Sequence, residues 1–252
     1  MELAEYDTMA QLEECDWWYR TLRRMVCKAL EPLDHHAPSS RILDAGCGTG
    51  GGLRALAHAM PSRAWIGLDG SPAALRHAAR RQTAPLVQGS VMRLPFKENT
   101  FDAVLSLDVL CSVGVEESAA LREVHRVLRP GGWLILNLPA FESLRGAHDE
   151  AVHIRKRYRS RELRHLLSTH GFQIIRLIHW NALLFPVVFL IRRLLRPRGV
   201  PGDTPSRSDL RPLPASVNGG LERLLALDTL LCRILRIPFG TSLFSTACKV
   251  AT

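Results

Sequence analysis

Leu43-Asp44-Ala45-Gly46-Cys47-Gly48-Thr49-Gly50-Gly51 is the stretch on which the fold turns. Arg41-Ile42-Leu43-Asp44-Ala45 is a short apolar run that ends in glycines and reads as a buried strand. The segment after it, GLRALAHAM, has helical spacing. Glycines at such a strand-to-helix turn let backbone approach a ligand where any Cβ would collide. The helix N-terminus that follows presents unpaired N–H groups to a polar or anionic part of that ligand. Asp69 ends the next apolar run, about 20 residues on, placed to accept hydrogen bonds from ribose hydroxyls. A nucleoside-bearing cofactor is the direct inference. Because Gly46, Gly48 and Gly51 also satisfy G-x-G-x-x-G, the glycines alone do not separate a dinucleotide from another nucleoside.

Outward from this turn the alternation continues. Strand AWIGLD, helix SPAALRHAARR, strands PLVQG and FDAVLSLD, helix ESAALREVHRVL, a turn at Arg129-Pro130-Gly131-Gly132 and strand WLILNLP follow in order. Helix SRELRHLLSTHG then leads into strand FQIIRLIHW. Apolar strands alternating with helices predict a parallel sheet covered on both faces. The final TSLFSTACKV alternates loosely and is expected to close the sheet as an edge strand. Two regions lie outside the pattern. Residues 1–37 read as helical up to Pro32, and 181–240 read as a helical pair around a Pro/Gly/Ser/Arg stretch, with a flexible loop near 197–215. The expected division is an N-terminal helical cover (1–37), a core (38–180 and 241–252) and a helical cap insertion (181–240).

Ile42 to Gly50 resembles the S-adenosylmethionine motif of class I methyltransferases, whose hallmark is an acid two residues before the first glycine. Gly67-Leu68-Asp69-Gly70-Ser71, Phe101 to Leu110 and Glu123 to Gly132 match further elements of that family in order. The resemblance covers roughly 40–180 and 241–252. It is closest to the small-molecule branch typified by quinone-biosynthesis methyltransferases. It implies a Rossmann-like α/β fold: a seven-stranded, mostly parallel sheet with helices on both faces and an antiparallel last strand. It also implies S-adenosylmethionine as cofactor and methyl transfer to a small, hydrophobic or aromatic metabolite.

Carried over residue by residue, Asp44, Gly46, Cys47 and Gly48 would surround the methionine part, and Asp69 with Gly70 the ribose. Ser90 and Val91 sit where the family contacts adenine, with Ser90 in place of the usual Asp. Leu107 and Asp108 would lie beside the transferring methyl. Many relatives carry Glu-His after the fourth strand, where this chain has Cys111-Ser112. Ser112 cannot serve as a general base at neutral pH. His148, Asp149 and His153, after the fifth strand, are the candidate replacements, the His148/Asp149 pair resembling one found in a bacterial subgroup. Trp18, Tyr19, Ser112 and Tyr158 are candidate lid or substrate contacts. His148 and His153 lack cysteine or acid partners at metal-ligand spacing, so no metal is expected.

The 46% hydrophobic and 23% charged composition excludes a disordered or collagen-like chain. The N-terminus carries acids and no basic residue before Arg20, the reverse of a secretory signal, and no run is long enough for an ordinary membrane span. Six scattered cysteines without a C-x-x-C pair fit a reducing cytoplasm. The net charge of +9 leaves nucleic acid or an anionic membrane as partners to weigh. A tRNA or rRNA methyltransferase is the alternative, disfavoured because the fourth strand ends Leu-Asp-Val-Leu and no RNA-binding module is recognisable. A NAD-dependent oxidoreductase and a non-catalytic cofactor-fold protein stay open too. Asn181 to Ile191 is almost wholly apolar, is interrupted by Pro186 and runs into Arg192-Arg193-Leu194-Leu195-Arg196. That arrangement suits an interfacial helix at the inner membrane face, or a cap whose apolar faces pack on each other or on a second subunit.

Overall fold

The structure is a computed structural model that describes residues 3–35, 39–81, 84–194 and 212–250. Seven strands form one sheet in the order β3-β2-β1-β4-β5-β7-β6. In chain order they are β1 (Arg41–Ala45), β2 (Ala64–Asp69), β3 (Leu86–Gln88), β4 (Phe101–Leu107), β5 (Leu128–Pro139), β6 (Phe172–Trp180) and β7 (Ser242–Lys249). The first five pair in parallel, and β7 is antiparallel to both β5 and β6. The alternating pattern of the sequence is thereby realised as a doubly covered sheet.

Each strand feeds two cores. Leu43 and Val104 face one, and Ile42, Ala103 and Leu105 face the other, as the two-residue strand period requires. On one side lie α5 (Glu117–Val127), which buries Ala120, Leu121, Val124 and Val127, and α7 (Ser160–Thr169). On the other lie α2 (Trp17–Leu30), which buries Leu22, Met25, Val26 and Leu30, and α3 (Gly51–Ala59). These spacings are the apolar stripes of amphipathic helices. α4 (Pro72–Arg81) links β2 to β3.

Three expectations change. The last strand is not at the edge: β7 lies between β5 and β6, and all but one of its residues are buried. A strand covered on both faces has no reason to alternate sharply, hence its loose pattern. The N-terminal helical run is broken into α1 (Leu3–Leu12) and α2, because Asp16 caps α2 by accepting from the Trp18 N–H (2.9 Å). Pro186 does not interrupt α8 (Phe185–Leu194) but sits in its first turn, where no intrahelical N–H is required. Most of the loop expected near 197–215 lies outside the described residues; α9 (Ala215–Leu235) begins at its end.

The N-terminal cover and the cap form one layer. The Trp17 N–H donates to Asn218 Oδ1 (2.9 Å), Asn218 Nδ2 donates to the Cys15 carbonyl (2.7 Å), and Glu222 pairs with Arg20 (3.1 Å) and Arg24. The fully buried Asp228 of α9 accepts from the backbone N–H groups of Asn181 (2.6 Å), Ala182 (2.8 Å) and Leu183 (2.7 Å), where the chain leaves β6 with Asn181 at φ +58°. A charged acceptor on three buried donors contributes more than a neutral bond. Asp228→Ala should therefore lower unfolding stability by about 2–4 kcal/mol, because the three N–H groups lose their partner. A shift of the urea midpoint with an unchanged m-value is the readout.

Candidate active site

The carboxyl ends of β1, β2 and β4 converge where the strand order reverses, between β1 and β4. The turn after β1 is tight: Gly46, Gly48 and Gly50 take φ of +105°, +55° and +82°. A Cβ on Gly46 would lie 2.2 Å from Val109 Cγ2, and one on Gly48 would lie 2.8 Å from Met9 Cε. Glycine is thus demanded at 46 by Val109 as well as by the backbone angle, and at 48 by the backbone angle. The Gly46 and Cys47 N–H groups donate to the Leu68 carbonyl (2.7 and 3.0 Å), tying the turn to β2. Asp69 closes it, accepting from the Gly48 N–H (2.9 Å) and the Ser71 N–H (2.8 Å). Its remaining lone pairs are available to a ligand.

Two other carboxyls line the same cavity, Asp44 buried and Asp108 half-buried. Burial, then the charges of Asp69 and Glu13, push Asp44 up to about 7. Burial also pushes Asp108 up to about 7, against the lowering effects of the Asn137 hydrogen bond and of Arg157. Asp108 holds a left-handed backbone (φ +57°), as do the cavity-lining His153 (φ +56°) and Asn181. Non-glycine residues at such angles cost roughly 1–3 kcal/mol each and concentrate at functional sites.

The cover contributes residues that the sequence did not single out. Glu13 reaches down from the end of α1 to the start of α3, accepting from the Thr49 hydroxyl, the Gly51 N–H (2.6 Å) and Arg81 (3.1 Å). A carboxylate there answers the exposed N–H groups of the helix. Trp18 stacks on Trp180 (5.5 Å between ring centroids), Trp180 Nε1 donates to Asn137 Oδ1 (2.9 Å), and Asn137 Nδ2 donates to Asp108 (2.9 Å). Asn137, a lone polar residue in an apolar strand, was the available sequence signal for this chain of contacts; Glu13 had none beyond its charge.

His148 and His153 both line the cavity, and so does Ser112. Asp149 does not: fully buried at α6 (Ala147–Ala151), it holds the Arg157 guanidinium through both oxygens (2.8 and 3.1 Å) and accepts from the Gly146 N–H (2.8 Å). Arg192 of α8 adds a second cation 3.6 Å away. The geometry gives Asp149 an anchoring place under the loop rather than one in contact with substrate. Tyr158 is likewise removed from the cavity. It is fully buried, with its hydroxyl donating to Glu117 (2.7 Å) and 3.1 Å from the Leu110 carbonyl. The remaining expected residues, from Asp44 through Asp108 and including Trp18 and Tyr19, line one cavity of 1270 Å³.

That volume exceeds the roughly 300–1,000 Å³ usual for one ligand, so it has room for two. Residues 43–136 match the family described as "Methyltransferase domain". A probable S-adenosylmethionine-dependent methyltransferase of Mycolicibacterium smegmatis is 30% identical over 171 residues, 66% of this chain and 63% of that protein. Over these residues the chain is similar to class I S-adenosylmethionine-dependent methyltransferases. The demethylmenaquinone methyltransferase of Symbiobacterium thermophilum is 35% identical over 138 residues, 52% of this chain and 53% of that one. The matched region therefore spans less than two thirds of either relative. Among solved structures, the [4+2]-cyclase SpnF superposes with a TM-score of 0.60 at 21% identity, covering 93% of this chain and 83% of SpnF, which shows a shared fold.

The residues present fit the methyltransferase cofactor. Asp69 keeps acceptor capacity where the ribose is expected, glycine backbone at Gly46 and Gly48 lines the cavity, and Gln88, Ser90 and Val91 line it as well. Among the described residues no group of three or more His, Cys, Asp or Glu side chains could hold a metal. Asp69→Ala should weaken S-adenosylmethionine binding by about 10–150-fold, the loss of a charge-assisted hydrogen-bond pair. Titration calorimetry of folded variant and parent measures it.

Proposed function

We propose that this chain transfers the methyl group of S-adenosylmethionine to a small, hydrophobic or aromatic metabolite by in-line displacement. The observation that carries the reading is the single cavity in which the glycine turn and Asp69 share space with the apolar walls of the cover and cap. Trp17, Trp18, Val188, Leu213 and Leu221 supply those walls. A relative named for demethylmenaquinone supports an apolar acceptor of this kind. When bound, the cofactor supplies a methyl group already activated by its sulfonium, so the protein's task is alignment. Asp44, Gly46, Cys47 and Gly48 are proposed to border the methionine part, Ser90 and Val91 the adenine, and Leu107 and Asp108 the reacting end. Six unpaired cysteines support placement in the reducing cytoplasm.

With Ser112 in place of a histidine, proton removal falls to His148 and to His153, the latter held beside Ser112 by the Val113 N–H bond to its carbonyl (2.9 Å), and Asp149 positions their loop through Arg157. His148→Ala should lower kcat by about 10²–10⁴-fold with cofactor affinity intact, where deprotonation limits turnover. An unchanged rate would assign the acceptor to anions or neutral nucleophiles that need no base.

Methyl-labelled cofactor incubated with quinol, fatty-acid and amine acceptors, and separately with tRNA, tests the whole reading. Label in the organic extract is expected. Label in tRNA would favour a nucleic-acid enzyme, and cofactor binding without transfer to any acceptor would favour a non-catalytic role.

Acidity adds a further expectation. Asp44 is largely protonated in the free protein below its raised value of about 7, while a cationic ligand favours its ionised form. S-adenosylmethionine affinity should rise as pH increases towards 7, by up to about tenfold per unit, and level off above it. Asp44→Asn should flatten that profile in calorimetric titrations between pH 5.5 and 8.

A further inference from the structure

The cap turns an unpartnered surface outward. At the start of and along α8, Leu183, Val187, Leu190 and Ile191 recur at helical spacing, each 40–56% exposed. On α9, Leu227, Leu230 and Ile234 repeat the spacing, and together with Leu235 they are 50–67% exposed. The half-exposed Phe239, its ring 5.5 Å from that of Phe185, joins the two rows. An exposed apolar surface of this extent marks a site of interaction.

Its charge says with what. Among the described residues from 183 to 240 the acids are Glu222 and Asp228, and both are buried. The exposed charged side chains in the same span are Arg223, Arg233 and Arg236, all basic. We propose that the α8–α9 face seats on an anionic membrane surface. Apolar rows would enter the boundary between headgroups and acyl chains while the arginines extend to lipid phosphates. No helix among the described residues is long and apolar enough to cross a membrane, so the contact is interfacial. A second copy is a poorer occupant, because a two-fold contact would set the same arginines close to one another without an exposed acid among the described residues from 183 to 240 to answer them. The same helices supply Val188, Arg192 and Leu221 to the cavity wall, so an apolar acceptor would pass from lipid to site without crossing bulk water. That last consequence rests on the proposed function; the membrane contact does not.

The test is flotation of the full chain with phosphatidylcholine vesicles and with vesicles that also contain phosphatidylglycerol, at low and high salt. Recovery with the anionic vesicles alone, fading with salt, is expected. Replacing Arg223, Arg233 and Arg236 together by alanine should lower partitioning by about 100-fold, at about fivefold per arginine. Leu230→Glu with Ile234→Glu should abolish it, while the circular dichroism, melting temperature and S-adenosylmethionine affinity of both variants stay at parental values. Equal recovery with and without phosphatidylglycerol would overturn the proposal. So would a parental dimer in sedimentation that Leu230→Glu converts to monomer, which would place a second copy on this face.

Discussion

Three alternate glycines of the β1 turn, Gly46, Gly48 and Gly50, adopt positive φ, and the Asp69 carboxylate pins the middle one. Its hydrogen bond to the Gly48 N–H ties the end of β2 to the turn after β1, and its second oxygen starts α4 through Ser71. Without that carboxylate, a turn built from glycines would have many alternative conformations, since glycine loses the most freedom on folding. The same group therefore both shapes the turn and lines the cavity. The neighbouring carboxyls respond to the same enclosure. Removal from water, then the charges of Asp69 and Glu13, raises the pKa of Asp44, while removal from water raises that of Asp108 against the Asn137 hydrogen bond and Arg157.

Acidic side chains also hold the covering layer to the sheet. Glu13 joins α1 to α3 and α4, Glu222 joins α9 to α2, and Asp228 joins α9 to the end of β6. Each is buried, and each meets either backbone N–H groups or arginine. Such contacts are directional where apolar packing is not, so they fix how the cover lies over the cavity. Through Trp18, Trp180 and Asn137, the cover is also in contact with Asp108 at the end of β4.

The sheet and its glycine turn were legible in the sequence because strand and helix periods differ and because few residues other than glycine tolerate those angles. The grouping of Asp44, Asp69 and Ser90 around one cavity was legible for the same reason, since these residues lie at fixed offsets from strand ends. The rest was not local. Asp149 and Tyr158 look exposed in a charged stretch, yet Arg157 and Glu117 draw them inward, a choice made by partners eight and 41 residues away. Glu13 is one acid among several, and its place depends on a helix break at Asp16 that a continuous apolar rhythm conceals. The position of β7 was hidden because strand order is a property of the whole sheet.

That strand order bears on how the molecule assembles. β6 pairs with β7 alone, and the cap lies between them in sequence, so the two strands amount to a hairpin whose loop is α8, α9 and the segment between. The loop leaves and returns at one point, where Asn181 Nδ2 donates to Thr241 Oγ1 (2.8 Å). As the chain emerges during synthesis, β1 to β5 can find their neighbours in turn, whereas β6 has no partner until β7 arrives. Closing so long a loop is entropically mild, since each doubling of length costs only about 0.6 kcal/mol. The burden is kinetic: the edge of β5 with which β7 will pair stays open until then, making late sheet closure the stage at which this chain is most exposed to misassembly.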